Sequence, residues 1–204
     1  MKKVFLSLAV AAMLSSCSND TSQQSADQAE MIHDADGHEH DETATTLSNV
    51  PLDGPIRKSE NASGILDNYL EIKEALVSEN SDKAATSGNA LAKEFASFDK
   101  ASLDAVQRAS YEKLVGEALE QAEHIGESKG KIDHQREHFD ALSTSMMSLI
   151  AVIGSDRTLY HDYCPMYNDN KGANWLSSNE EIENPYYGSK MLTCGSMKKE
   201  IVPQ

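Results

Sequence analysis

The stretch N-A-S-G-I-L-D-N-Y-L-E-I-K-E-A-L-V-S-E-N at residues 61–80 decides the reading of the fold. Ile65, Leu66, Tyr69, Leu70, Ile72, Leu76 and Val77 recur at the spacing that lines one face of a helix, and Asn61 or Ser63 can cap its start. Similar patterns return three times downstream. A second helix is expected over residues 82–98, capped by Ser81, with Ala84, Ala85, Leu91, Ala92, Phe95 and Phe98 inward and Gly88 weakening it slightly. Ser102 opens a third, which carries Leu103, Val106, Tyr111, Leu114, Val115, Ala118, Leu119, Ala122 and Ile125 until residues 126–130 break it. Residues 131–153 form the fourth, and Gly154 stops it. Loops this short join antiparallel neighbours, and no strand pattern lies between the helices. The expected class is therefore all-α: an antiparallel up-down four-helix bundle in which four apolar stripes cover one another. One domain suffices, residues 60–204, with an irregular segment at 155–204 packed on the bundle.

Ahead of the bundle, Lys2 and Lys3 precede an apolar run at residues 4–14, too short to span a bilayer, which reads as a secretory signal over residues 1–16. Leu14-Ser15-Ser16-Cys17 resembles the lipobox of bacterial lipoproteins, in which the cysteine is diacylated and becomes the first residue. Ser18, rather than Asp, implies sorting to the outer membrane, with the chain facing the periplasm. Loss of Lys2 and Lys3 would leave sixteen basic against 33 acidic side chains, so nucleic acid and anionic head groups are poor partners. Residues 17–59 are rich in Ser, Asp, Gln, Thr and Glu with almost no aliphatic residues, the composition of a flexible tether. Within it His33, His38 and His40 stand among Asp34, Asp36, Glu39, Asp41 and Glu42, a mixture that binds Zn(II), Cu(II) or Ni(II) weakly, or serves only as a solvated linker.

The chemistry concentrates at the other end. Between Tyr160 and Met197 lie two of the 3 cysteines, three of the 8 methionines, the single tryptophan and five of the 7 tyrosines. Thioether and thiolate suit Cu(I), and thiolate with imidazole suits Zn(II), so Cys164, Met166, Met191, Cys194, Met197 and His161 form a candidate metal site, copper first and zinc second. The competing reading is a Cys164–Cys194 disulfide, since Cys17 is spoken for by lipid and an even pair remains in an oxidising compartment. Tyr160, Tyr163, Trp175, Tyr186 and Tyr187 are expected to pack this segment on the fourth helix, and Asn174 and Asn184 to satisfy its turns. His134 and His138, four apart on that helix, make a secondary metal-ligand pair or simply surface histidines. The sequence there is H-Q-R-E-H, not H-E-x-x-H, so a zinc-protease reading fails. Ser143 near Asp140 is a coincidence of helix spacing. With no G-x-S-x-G elbow, Walker loop or paired-carboxylate motif, the expectation is not an enzyme.

Q-R-E-H-F-D-A-L-S at residues 135–143, Y-C-P-M at 163–166, G-A-N-W-L at 172–176, I-E-N-P-Y-Y-G at 182–188 and M-L-T-C-G at 191–195 together resemble a family of extracytoplasmic domains of unknown function. Those domains occur alone on bacterial lipoproteins and at the C-terminus of CusB-type adaptor (membrane-fusion) proteins of heavy-metal efflux pumps. The resemblance runs from about Leu66 to the end. It implies a helical bundle and an association with copper or silver handling, with an efflux adaptor or pump as partner. The His-rich tether lies outside it.

Overall fold

The computed structural model describes residue 52 and residues 54–204; the signal, Cys17 and the tether up to residue 51, with His33, His38 and His40, lie outside the described residues. Four long helices follow one another: α1 Ser63–Val77, α2 Ser81–Ser97, α3 Ala105–Glu127 and α4 Ile132–Ile153. Two starts differ by a residue or two from expectation because better caps lie nearby. Asn80, not Ser81, accepts the Lys83 amide at 3.0 Å. Asp104, not Ser102, opens α3 with a capping box: its carboxylate accepts the Val106 and Gln107 amides, each at 2.9 Å, and the Gln107 side chain accepts the Asp104 amide.

Each helix runs antiparallel to the next. Ser87 of α2 donates to Glu71 of α1 at 3.0 Å, Tyr111 of α3 to the Phe95 carbonyl at 3.1 Å, and Gln135 of α4 to the Ile125 carbonyl at 3.1 Å. Gly88 lets α2 and α3 approach closely: a Cβ there would meet the Ala122 carbonyl oxygen at 2.8 Å and the Gly126 nitrogen at 2.9 Å. The glycine that weakens the isolated helix is what allows it to pack.

The all-α expectation is overturned by a three-stranded antiparallel sheet. Strands β1 Leu159–Cys164, β2 Ala173–Ser177 and β3 Ser196–Ile201 lie in the order β2-β1-β3. The physical reason is that the apolar stripes do not cover one another. Contacts run α1–α2, α2–α3 and α3–α4, while α1 and α4 meet over a short stretch only and β2 packs on α4 and touches α1. Trp175 of β2 is fully buried. The Tyr69 hydroxyl of α1 lies 2.8 Å from Ser143 Oγ of α4 and accepts the Leu176 amide at 3.0 Å, tying both helices to the sheet. Phe139 of α4 stacks on Tyr69 at 5.2 Å between ring centroids and meets Tyr186 at 5.9 Å.

Packing also begins earlier than residue 60. Ile56 is buried, and backbone bonds Gln204 N to Ile56 O (2.8 Å), Lys58 N to Gln204 O (2.9 Å) and Ser59 N to Ser155 O (3.0 Å) join the segment before α1 to the end of the chain. Among the described residues no helix is long and apolar enough to cross a membrane.

Candidate functional site

Cys164 ends β1, the central strand, and is fully buried; Cys194 lies in the turn before β3 and is partly covered. Thirty residues apart in sequence, their Sγ atoms stand 3.4 Å from each other, both as free thiols. Two thiolates on a tetrahedral ion with bonds of about 2.3 Å would stand roughly 3.8 Å apart, so a small opening of the pair admits a metal ion. Closing it to about 2.05 Å would make a disulfide.

The turn carrying Cys194 is held from inside. Asn184, fully buried, donates through Nδ2 to the Cys194 carbonyl at 2.7 Å, its amide donates to the Leu192 carbonyl at 2.7 Å, and its Oδ1 accepts the Tyr186 amide at 2.8 Å. Gly195 follows at φ 150°, where a Cβ would strike the Trp175 ring at 2.9 Å and the Tyr163 carbonyl at 3.0 Å. The asparagine in N-P-Y-Y and the glycine in M-L-T-C-G thus both serve to seat Cys194 beside Cys164. Bulky aromatics wall the region: Tyr167 stacks on Tyr186 at 4.4 Å and meets Tyr187 edge-on at 5.9 Å, and Trp175 meets Tyr186 edge-on at 6.0 Å.

Two buried charges, Arg136 and Lys73, lock this layer to the helices, and a third ionisable group, Asp162, is buried within it. Arg136 of α4 donates to the Pro185 carbonyl at 3.0 Å and to Asp133 at 2.9 Å. Lys73 of α1 donates to Glu74 at 3.0 Å and to Glu183 at 3.1 Å. Burial works against the Glu183 carboxylate, yet the Lys73 hydrogen bond and charge, helped by Asn179, hold its pKa below the ordinary range. Asp162, fully buried on β1 with neither oxygen hydrogen-bonded, is pushed up to about 6 by burial, opposed in part by Lys73. A charged residue at an unexpected point in an apolar face was the available signal for Lys73 and Arg136.

The candidate ligands are distributed unevenly around the thiols. Met166 sits two residues past Cys164 in the turn begun by Pro165, and its carbonyl accepts the Tyr187 hydroxyl at 2.9 Å. Met191 begins the turn that ends at Cys194, with the Cys194 amide bonded to its carbonyl at 3.0 Å. Met197 stands opposite Asp162 on β3. Met166 and Met197 are 47% and 40% exposed. His161 is not brought to the pair. Three positions from Cys164 along β1, it projects from the other face of the sheet, and its Nε2 is 2.8 Å from Asn174 Oδ1. His134 and His138 do meet one another, and His124 of α3, absent from the candidate ligands, stacks on His138.

Residues 65–158 match the model of a family described as protein of unknown function (DUF3347). The match takes in most of α1 and all of α2 to α4 and ends just before β1, so Cys-Pro-Met and Met-Leu-Thr-Cys-Gly lie beyond it. No curated protein and no solved structure matches the chain.

Among the described residues, no three His, Cys, Asp or Glu side chains group so as to hold a metal ion. The soft donors nearest to the cysteine pair in sequence are the thioethers of Met166, Met191 and Met197. Burial first, and then the Cys164 thiol beside it, push the Cys194 thiol up, so without a cation Cys194 keeps its proton and a bound ion would displace it. The Tyr187 hydroxyl is likewise pushed up, by burial and by both thiols.

Proposed function

We propose that this chain is an envelope lipoprotein that binds a soft metal ion as cargo, Cu(I) or Ag(I), through Cys164 and Cys194, and serves heavy-metal efflux or resistance. The observation that supports it is the pairing itself: two thiols 3.4 Å apart, each in or beside a turn that also carries a methionine, Met166 on one side and Met191 on the other. Two thiolates with a thioether make a low-coordinate soft set, which suits Cu(I) better than the harder divalent ions. Partial exposure of Met166 and Met197 leaves sulfur at the surface, where an incoming donor can hand over the ion. The lipobox-like Leu14-Ser15-Ser16-Cys17 supports anchoring at the outer membrane through Cys17. The likeness of the C-P-M and M-L-T-C-G elements to domains on lipoproteins and on CusB-type adaptors supports an efflux adaptor or pump as partner.

Competition against a Cu(I) chelator tests the reading. Reduced protein is expected to bind one Cu(I), Cys164→Ser or Cys194→Ser to lose far more affinity than Met166→Leu, and helicity to survive every change. A serine hydroxyl is not ionised near neutral pH, whereas a lost thioether removes only a neutral donor. Equal and negligible retention by wild type and Cys164→Ser would end the metal reading.

The same proximity supports a second reading, a disulfide-stapled interaction module of the envelope. That module would show no free thiols when isolated from an oxidising compartment. Its two cysteine-to-serine variants would lower the melting temperature alike, by the equivalent of about 3–4 kcal/mol for a loop of this length. Thiol titration with elemental analysis of the native protein separates the two.

A further inference from the structure

On α4, His134 and His138 turn the same ring nitrogen toward each other. Their Nε2 atoms stand 3.1 Å apart. The other nitrogen of each ring is already engaged: His134 Nδ1 lies 3.0 Å from the Glu137 carboxylate, and His138 Nδ1 lies 2.7 Å from Gln121 Oε1 on α3. With the hydrogen of each ring on Nδ1, toward those oxygens, the two Nε2 lone pairs face each other and a cation between them would complete the arrangement.

A metal ion fits the spacing: two nitrogens bound at 2.0–2.1 Å to a tetrahedral ion stand about 3.3 Å apart. Nδ1–H donation to a carboxylate and to an amide oxygen is also the outer arrangement that orients ligating histidines. His124 lies flat on His138, 4.6 Å between centroids at an interplanar angle of 5°, and walls the pair rather than joining it. His134 is 48% exposed, which leaves the ion a path from solvent.

We propose that His134 and His138 form a second metal site, holding one borderline divalent ion, Zn(II) or Cu(II), on their Nε2 atoms with water completing the coordination. The site is independent of the cysteine pair, because it uses nitrogen donors on a helix that the sulfur site does not share. Imidazole ¹⁵N spectra of the full chain in detergent, titrated with Zn(II), test it. The His134 and His138 Nε2 resonances are expected to move together and to reach a common plateau in excess Zn(II), in wild type and in Cys164→Ser alike. His138→Ala is expected to abolish the response at His134. Gln121→Met removes only the acceptor that orients His138 and is expected to weaken Zn(II) about tenfold with helicity unchanged. Rings of His134 and His138 that stay unmoved in excess Zn(II), or a His134 response that survives His138→Ala, would overturn the proposal. So would a Gln121→Met protein of wild-type affinity. Because Cys164→Ser removes the sulfur site alone, failure of one site is visible separately from failure of the other.

Discussion

The helices and the C-terminal sheet are built from different kinds of information. Each helix is specified within its own length: Asn80 and Asp104 cap α2 and α3 from the adjoining residue, and aliphatic residues at three- and four-residue spacing supply the buried face. The sheet is specified at a distance. Leu176 of β2 is held by Tyr69, and Glu183 and Pro185, in the connection from β2 to β3, by Lys73 and Arg136, all from helices earlier in the chain. The contrast shows why the thiols sit where they do. Cys164 and Cys194 lie at the ends of strands, on turns whose geometry comes from the neighbouring helices and not from local propensity.

If the sheet is the missing wall of an open bundle, the two regions fold as one. Trp175→Ala gives the largest expected effect, because it empties a fully buried site between β2 and the helices and should cost about 3–5 kcal/mol. Urea unfolding followed by near-ultraviolet and far-ultraviolet circular dichroism should shift as a single transition. Helicity that persists after the aromatic signal has gone would split the comparison into two independent modules.

Asp162 sharpens the comparison by pH. Its folded pKa near 6 lies above the unfolded value of about 3.9, so the folded state holds the extra proton, and stability falls as pH rises between those two values. The full shift corresponds to roughly 2–3 kcal/mol for a group this buried. Asp162→Asn should flatten that part of the stability–pH curve, and the variant should gain on wild type at pH 7.5 relative to pH 5. Parallel curves for the two proteins would show that the carboxylate is solvated or paired in the folded state.

These differences explain how far the sequence could be read. Four helices and their approximate ends followed from apolar spacing, and the role of Asn184 followed from turn chemistry. The sheet did not. In β1, Leu-Tyr-His-Asp-Tyr-Cys, the buried positions are Leu159, Asp162 and Cys164, one of them a carboxylic acid, so no apolar alternation exists to be found. In β3 only Ile201 of six residues is buried. Their strand character comes from pairing and from the gap between α1 and α4, which no single segment reveals. Among the candidate ligands, the pairing of Cys164 with Cys194 was open to inference from composition. The separation of His161 depended on knowing that β1 is a strand with two faces, and His124 on knowing that α3 lies against α4.

A smaller effect is expected at the hydroxyl joining the two regions. Tyr69→Phe keeps the ring stacked on Phe139 but leaves the buried Leu176 amide without its acceptor, and should cost about 1–2 kcal/mol. Amide hydrogen exchange at Leu176 should accelerate more than exchange within α2. Uniform acceleration across both would mean that the bond adds only global stability.

The smallest effect belongs to the locally specified region. Asp104 is exposed, and its capping box touches only residues of the same helix start: Val106 and Gln107 through their amides, and the Gln107 side chain in return. Asp104→Ala should therefore cost about 1 kcal/mol, read as a shift of the urea midpoint with unchanged slope. Because nothing in the sheet depends on that cap, Cu(I) retention by reduced protein should equal wild type. The Tyr69→Phe variant, which loosens β2 against α1, should show any change at the cysteine pair first. A cap variant that lost copper while Tyr69→Phe kept it would mean that the thiols depend on the order of α3, and not on the side chains of α1 and α4 that grip the sheet.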